Sequence, residues 1–197
     1  MRKLQLLLAG ILAAGICACT PAATASDAGL EKEKETTASE TERPDQNDGK
    51  ITAKGGVAEG YVGNTFSSVF FDFTVNSAAK TDAYEGITPS AEGNTLLIIH
   101  ITMENTFQSP LPMFDTDFQI TWGDGENDWG LPITYSNDEV SAKNMLAGEY
   151  EIGVDEKKSG DLVFEVPSDK SGFMLSYEEA FNNDEKGDLF VVYIKAQ

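Results

Sequence analysis

The sequence predicts an all-β fold, a sandwich or barrel of antiparallel strands, in residues 51–197. Three observations support this prediction. Apolar and polar residues alternate with a period of two from residue 51 onward. Turn residues, mainly glycine, asparagine and aspartate, separate the short apolar runs. No long stretch shows the 3.6-residue period of an amphipathic helix. A domain of this size can bury a core without disulfides.

Residues 1–18 predict a secretion signal peptide. Arg2 and Lys3 form a basic start, an apolar run broken only by Gln5 follows over residues 4–15, and small residues come next. The apolar run is too short to span a bilayer comfortably as a permanent helix. We therefore expect this segment to direct export and to be removed.

The junction Ile16-Cys17-Ala18-Cys19 resembles the lipobox of bacterial lipoproteins, in which an aliphatic residue, a tolerant position and a small residue precede the lipid-bearing cysteine. The resemblance implies lipid attachment at Cys19 and contact with the membrane through that lipid. Cys17 is the competing candidate, but bulky Ile16 stands where a small residue is wanted. The alternative is an ordinary cleaved signal with a spare thiol. Two acyl chains would anchor the protein stably, whereas one binds only marginally.

Residues 19–50 are predicted to comprise the lipidated cysteine and a disordered acidic linker. The segment after Cys19 contains one leucine and no aromatic residue. Such a composition cannot bury enough apolar surface to offset the entropy of ordering. As a flexible tether it would span ~30 Å on average and ~100 Å when taut.

The charge of the chain is strongly acidic, with 14 Lys+Arg against 33 Asp+Glu and a formal net charge of −19. An acidic surface repels phosphate backbones, so we expect no nucleic-acid partner. It also disfavours lying flat on an anionic leaflet. Two interpretations stay open: solubility in an exposed, salty place, or attraction of a cation or a basic partner.

The two clearest strands are predicted at residues 69–76 and 96–104. In the first, one face carries Val69, Phe71, Phe73 and Val75, and the other carries Phe70, Asp72, Thr74 and Asn76. In the second, one face carries Leu97, Ile99, Ile101 and Met103. The apolar start of its other face, at Leu96 and Ile98, predicts a central strand that is covered at one end.

Four further strands are predicted, at residues 118–122, 162–166, 172–177 and 189–194. Turn residues lie between them, and Pro167 closes one strand, as proline can at a strand end. Many short strands with turns between them complete the all-β prediction.

A family resemblance rests on a series of strand ends. Its elements are Phe73-Thr74-Val75-Asn76-Ser77, then Glu92-Gly93-Asn94, then Glu104-Asn105, then Asp117-Phe118, then Gly160-Asp161-Leu162-Val163-Phe164-Glu165-Val166-Pro167. Over residues 57–195 the chain resembles the telokin-like, immunoglobulin-fold domains of unknown function in lipoproteins of Gram-positive bacteria. The resemblance implies an immunoglobulin-like antiparallel β-sandwich outside the cell, and it brings no catalytic residues. Between Gly123 and Lys158 the chain is longer and more acidic than expected, so the strand order there stays open.

No pattern in the sequence indicates an enzyme or a cofactor. The single histidine, His100, lies within a predicted strand, where we expect a solvent-facing or packed residue. A serine triad needs a histidine set in a cleft, and no G-x-S-x-G motif is present. Zinc and phosphate-binding motifs are absent as well.

Two acidic loops invite comparison with calcium sites. Residues 123–130 place carboxylates at Asp124, Glu126 and Asp128, a spacing at which a tight loop can direct oxygens to one hard cation. Residues 182–188 are similar, but Lys186 stands where an oxygen ligand would be wanted. Neither loop has the distal bidentate glutamate of a calcium loop. We expect solvated turns and no metal.

Two further apolar features of the sequence bear on a contact surface. Trp122 and Trp129 flank the first acidic loop, with Tyr135 nearby, and one tryptophan should belong to the core. If Trp129 is exposed, it marks a binding loop. Residues 110–114 are interpreted as an edge crossover between sheets.

The function predicted is that of a non-catalytic, lipid-anchored module on the extracellular side of a bacterial cell membrane. It would bind a protein, a peptide or an envelope component. The alternatives are a structural lipoprotein domain without its own ligand and a calcium-dependent surface binder. Exposed aromatic residues clustered at one end of the sandwich would favour the binding module, and a deep polar pocket would favour an enzyme.

Overall fold

The computed structural model describes residues 49–181 and 185–197. The predicted signal peptide, Cys19 and almost all of the predicted linker lie outside these residues. The described residues form twelve strands and one short helix, α1 (Ile133–Ser136). The strands are β1 (Lys50–Ile51), β2 (Val57–Tyr61), β3 (Thr65–Ser67), β4 (Phe71–Thr81), β5 (Asn94–Asn105), β6 (Leu111–Phe114), β7 (Phe118–Thr121), β8 (Trp129–Gly130), β9 (Glu149–Ile152), β10 (Lys157–Pro167), β11 (Gly172–Ala180) and β12 (Lys186–Lys195).

Two five-stranded sheets make up the sandwich. Sheet 1 has the order β1-β3-β4-β5-β10, sheet 2 has the order β2-β12-β11-β7-β8, and β6 pairs with β9 in a separate ribbon. This architecture confirms the all-β sandwich. Between the strands named above, the pairing is antiparallel except at two places, where β1 runs parallel to β3 and β2 runs parallel to β12. An isolated bridge between Met145 and Asp161 is parallel as well. The sheets are therefore mixed, and the expectation of purely antiparallel sheets was wrong at these two edges.

The strand order is that of an immunoglobulin-like sandwich. In the lettering used for that fold, sheet 1 contains strands A, B and E, which are β4, β5 and β10. Sheet 2 contains strands G, F and C, which are β12, β11 and β7. The chain therefore crosses from one sheet to the other between β5 and β7. The predicted position of β5 is confirmed, because it lies between β4 and β10 and pairs with both.

The core lies between the two sheets, and the alternation in the sequence accounts for it. Leu97, Ile99, Ile101 and Met103 of β5 are all 0% exposed. Phe71, Phe73 and Val75 of the neighbouring strand β4 are also buried and lie beside them on the core face of sheet 1. Aromatic rings from both sheets pack against one another edge to face or tilted, which are arrangements that aromatic pairs prefer. The rings are those of Phe66, Phe71, Phe73, Phe118, Tyr177 and Phe190.

Two residues of the first predicted strand have other positions than expected. Val69 lies before β4, in the β3–β4 loop, and is 56% exposed rather than part of the core face. Asp72 is buried although it belongs to the polar face, because the Lys50 Nζ donates to its Oδ2 over 2.5 Å. Lys50 belongs to β1, which the sequence pattern did not predict.

Between Gly123 and Lys158 the chain forms β8, α1 and β9 before it returns to sheet 1 as β10. Residues 110–114, interpreted as a crossover, instead contain β6, which pairs with β9. The segment before β9 covers the free edge of β10, where the Asp161 N–H donates to the Asn144 carbonyl and the Leu146 N–H donates to the Asp161 carbonyl. This contact protects the edge strand from pairing with other chains.

Among the described residues no helix is long and apolar enough to cross a membrane.

Candidate functional site

Loops from both sheets meet at one end of the sandwich. They are the β3–β4 loop at residues 68–70, the β5–β6 loop at residues 106–110, the β9–β10 turn at residues 153–156 and the β11–β12 connection that starts at Phe181. The pairing of Phe71 with Asn105 fixes the first two loops side by side. Loops at the end of an immunoglobulin-like sandwich are well placed for recognition, because the sheets hold them rigidly.

Apolar side chains cluster on these loops, and we call Val69, Phe70, Phe107 and Phe181 the phenylalanine tip. Phe70 is partly buried and packs against the core, whereas the other three are exposed. The Phe70 ring lies 5.6 Å from that of Phe107 and 5.5 Å from that of Phe181, between centroids. Val69 is 56% exposed, and Phe107 and Phe181 are each 38% exposed. Val154 on the neighbouring turn is exposed too. Clustered apolar residues at a surface commonly mark a contact site.

A buried glutamate joins one of these loops to a strand of sheet 2. Glu179 of β11 is 2% exposed. Its Oε1 accepts a hydrogen bond from the Val69 N–H at 2.7 Å, and its Oε2 accepts one from the Asp188 N–H at 3.0 Å. One carboxylate thus joins the β3–β4 loop to β12. Because both oxygens are used on backbone donors, the loops keep their positions without a ligand.

A buried asparagine organises the β5–β6 loop in the same way. Asn105 is 1% exposed, and its side-chain amide donates to the Ser109 and Ile152 carbonyls, each over 2.9 Å. Its Oδ1 accepts from the Phe107 N–H at 2.8 Å. The bonds to Ser109 and Phe107 fix the loop that carries Phe107, and the bond to Ile152 ties Asn105 to β9. A surface ordered in this way loses little entropy when it binds a partner.

The charge around the phenylalanine tip is negative. Asp155, Glu156 and Glu185 lie on its loops and are exposed. No lysine, arginine or histidine occurs at residues 68–70, 106–110, 153–156, 181 or 185. The nearest lysines in sequence pair with glutamates, Lys157 with Glu104 at 3.0 Å and Lys186 with Glu178 at 2.6 Å. The tip therefore combines apolar rings with carboxylates.

The first acidic loop, at residues 123–130, lies at the other end of the sandwich and is folded on itself. The Asp128 Oδ2 accepts from the Gly125 N–H at 3.1 Å, and the Asp128 carbonyl accepts from the Trp122 N–H at 3.0 Å. Asp124 and Glu126 are exposed. Across the described residues, no group of three or more histidine, cysteine, aspartate or glutamate side chains is placed to hold a metal ion.

The second acidic loop, at residues 182–188, includes residues 182–184, which are outside the described residues. Within it, Lys186 pairs with Glu178 of β11 rather than facing a cation site.

A second exposed aromatic surface lies on the solvent face of sheet 2. Tyr61 is 50% exposed and Tyr193 is 37% exposed, with ring centroids 5.7 Å apart. Trp129, in the edge strand β8, is 44% exposed, whereas Trp122 packs against the core. One tryptophan thus joins the core and the other reaches solvent. The nearby Tyr135 is also exposed.

His100 forms part of a hydrogen-bonded row on the outer face of sheet 1. Its Nδ1 lies 2.7 Å from the Asp161 Oδ1, and the Asp161 Oδ2 accepts from the Tyr84 hydroxyl at 2.6 Å. Burial and this hydrogen bond raise the pKa of Tyr84. Ser77 is the partner of His100 across β4 and β5, but no side-chain hydrogen bond joins these two described residues. The row therefore lacks the nucleophile–base contact of a serine triad, and it holds the β4–β5 loop against sheet 1.

A pocket beneath the segment before β9 has room for only about one water molecule. Its lining is mostly apolar, and Asp115 and Thr134 are among its polar members. Such a pocket is far smaller than a typical ligand cavity.

Sequence reasoning missed the phenylalanine tip because its rings come from loops that are distant along the chain. One signal was present: Phe70 was assigned to the polar face of a strand, beside Asp72, Thr74 and Asn76. A large ring on a polar face calls for a partner, and the partners are Phe107 and Phe181.

The fold and its loops define an immunoglobulin-like β-sandwich domain whose most prominent feature is an exposed aromatic surface. The chain belongs to the DUF4352 family, a domain of unknown function, which matches residues 60–186. This agrees with the predicted resemblance to a domain of unknown function. A comparison with curated proteins finds no match.

Several solved structures are similar to the chain. A "putative lipoprotein" from Bacillus subtilis is 20% identical with a TM-score of 0.47, and the match covers 66% of this chain but 38% of that protein. The yjhA protein of Bacillus subtilis is 21% identical with a TM-score of 0.49, covering 70% of this chain and 99% of that one. An uncharacterized β-sandwich protein from Clostridium difficile is 16% identical with a TM-score of 0.40, covering 79% and 100%.

Proposed function

We propose that the protein is a lipid-anchored, non-catalytic binding module outside the cytoplasm, and that the phenylalanine tip is its contact surface. The partner would be a protein, a peptide or an envelope component. The observation that carries the proposal is the contact of the exposed rings of Phe107 and Phe181 with the partly buried ring of Phe70, on loops that buried polar side chains hold. Aromatic residues are the usual anchors of protein interfaces.

The tip is better explained by binding than by structural need. Exposed rings cost solubility and add little to the core, and larger apolar clusters on monomers usually mark an interaction site. Two side chains, Glu179 and Asn105, are buried and spend their hydrogen bonds on the loop backbone. A structural domain without a ligand would not need such ordered apolar loops.

The anchor belongs to the same proposal. It is supported by the basic start, the apolar run and the lipobox-like junction ending at Cys19. As part of the same proposal, the domain is of the telokin-like type found in lipoproteins of Gram-positive bacteria. A lipid on Cys19 and a linker over residues 19–50 would hold the domain near the membrane while leaving the tip free to meet a partner.

The binding proposal is tested by site-specific photo-cross-linking of the full-length protein in its host. A photoreactive residue at position 107 should give a discrete cross-linked product, because the tip is in contact with its partner. The same residue at position 124, equally on a loop but at the other end, is the control. Equal products at both positions, or none at position 107, would contradict the proposed surface.

The anchor is tested separately with Cys19→Ala. We expect the variant to be released into the medium or to remain as uncleaved precursor, and to lose acyl labelling. Cys17→Ala should retain membrane association and label. Retention and labelling of the Cys19→Ala variant would exclude the lipid anchor.

A further inference from the structure

We infer that the partner of the phenylalanine tip is a polypeptide segment that carries both apolar and basic side chains. This inference rests on the proposed function of the tip and adds the chemistry of its ligand. Three carboxylates, Asp155, Glu156 and Glu185, lie on the loops that carry the exposed rings, and no cationic side chain occurs on the described residues of those loops.

Charge complementarity supports a basic partner. Lysine and arginine side chains interact favourably with aromatic faces and pair with carboxylates, so one basic residue can contact both kinds of group at the tip. Residues 49–197 contain nine lysines and 25 aspartate and glutamate residues, a formal net charge of −16. A field of this sign would increase the rate at which a basic partner associates.

The geometry of the acidic turn favours contact over burial of the charges. The Gly153 N–H donates to the Glu156 Oε2 at 2.7 Å, so one carboxylate oxygen of Glu156 caps its own turn, and Asp155 and Glu156 are both exposed. The side chain of Val154, which precedes both acidic residues, is 46% exposed. One apolar and two acidic side chains thus lie at the surface of one turn.

A membrane surface fits the same tip poorly. Insertion of the rings into an anionic bilayer would bring Asp155, Glu156 and Glu185 against headgroups of the same sign. A neutral polysaccharide could stack on the rings but would leave the carboxylates without a matching charge. The basic, apolar polypeptide is the ligand class that uses both features.

The test measures fluorescence anisotropy of labelled peptides with the full-length protein in zwitterionic nanodiscs, against empty nanodiscs. Three twelve-residue peptides are compared: alternating lysine and leucine, alternating glutamate and leucine, and alternating lysine and serine. We expect the lysine–leucine peptide to bind at least about tenfold more tightly than the other two at low salt, since only it offers both contacts. Its affinity should fall as salt rises.

Paired variants assign the charge to the tip. Asp155→Asn with Glu156→Gln should weaken the lysine–leucine peptide by about threefold to tenfold, which is the range expected for loss of two exposed charge contacts. Asn retains the backbone conformation of residue 155, and Gln retains the acceptor for Gly153. The matched control, Asp124→Asn with Glu126→Gln, removes the same charge at the opposite end and should change the affinity by less than about twofold.

The outcomes separate the two levels of the proposal. In one outcome the parent protein binds the lysine–leucine and glutamate–leucine peptides equally, and the double variant Phe107→Ser with Phe181→Ser binds neither. The tip is then a contact surface, and the inference of a basic partner is wrong. If the phenylalanine variants bind all peptides as the parent does, the proposed surface itself fails. Equal weakening by the tip and control charge pairs, or tighter binding to anionic vesicles or a neutral polysaccharide than to the peptide, overturns the inference.

Discussion

The two ends of the sandwich use the same device to order their loops, but they present different chemistry to solvent. At the phenylalanine tip, Glu179 accepts backbone hydrogen bonds from Val69 and Asp188 while being 2% exposed. At the opposite end, Glu165 accepts from the Ser90 and Ala91 N–H groups, the Ser90 hydroxyl and the Asn94 amide at 2.8–2.9 Å.

The difference lies in what each ordered loop exposes. The tip exposes phenylalanine rings, which lose water favourably when they meet a partner. At the other end, the acidic loop, which is separate from the loop that Glu165 holds, exposes the carboxylates of Asp124 and Glu126 beside the single ring system of Trp129. A loop that is ordered and apolar is prepared for contact, whereas an acidic turn is satisfied by water. This contrast is the reason for proposing the tip, rather than the acidic loop, as the contact surface.

The largest effect should come from Glu179→Ala. The change leaves the part-buried N–H groups of Val69 and Asp188 without their acceptor, at about 1–3 kcal/mol for each donor, so we expect a loss of roughly 2–6 kcal/mol in the free energy of unfolding. Urea denaturation followed by tryptophan fluorescence measures it. The adjacent Glu178→Ala removes an exposed pair with Lys186 and should cost at most about 1 kcal/mol. Equal costs for the two variants would show that Glu179 does not hold the tip.

A smaller effect is expected at the other end for Glu165→Ala, about 1–2 kcal/mol, because this glutamate is only partly buried and water can replace some of its bonds. Glu92→Ala, an exposed glutamate in the same loop, is the control and should be neutral within about 0.5 kcal/mol. A Glu165→Ala variant as stable as the Glu92→Ala variant would remove the parallel between the two ends.

The contribution of Glu165 should also depend on pH. Burial alone would raise its pKa, but the hydrogen bonds from Ser90, Asn94 and Ala91 outweigh burial and lower it. A carboxyl with a lowered folded-state pKa stabilises the fold above its unfolded pKa of about 4.3, and this contribution is lost as the pH falls through the folded value. The difference between parent and Glu165→Ala should therefore be constant near pH 7 and shrink below about pH 4. A constant difference down to pH 2 would contradict this assignment.

Local sequence patterns predicted the centre of the fold well and its periphery poorly. β5 alternates cleanly because sheet pairing on both sides leaves one face to the core, so its apolar residues are recognisable from sequence. β1, β3 and β8 have two or three residues each, too few for a period to be visible. Asp72 shows the other limit, since its burial depends on Lys50, 22 positions away.

The candidate site was less predictable for a related reason. Acidic loops are contiguous in sequence and attract attention, whereas the tip joins Phe70, Phe107 and Phe181 from three loops. Only the pairing of the strands brings them together. The sequence did supply the criterion, namely exposed aromatic residues at one end of the sandwich, but it could not place the rings there.

The smallest expected effect concerns calcium at the acidic end, and it tests whether that end is more than a solvated turn. A calcium site of moderate affinity needs six or more oxygens. In the loop at residues 123–130, one carboxylate oxygen of Asp128 already accepts a hydrogen bond from the Gly125 N–H, and Asp124 and Glu126 are exposed to solvent. A true site would raise the stability by about 2.7 kcal/mol at a hundredfold excess of calcium over the dissociation constant. We expect millimolar calcium to raise the melting temperature no more than sodium chloride at equal ionic strength, because screening of the crowded carboxylates is the effect that the two salts share. The contrary outcome is that calcium alone raises the melting temperature and that Asp124→Asn with Asp128→Asn removes this gain. The acidic end would then be a calcium-dependent surface with Trp129 beside it. The contrast between the two ends would no longer favour the tip as the place where the partner binds.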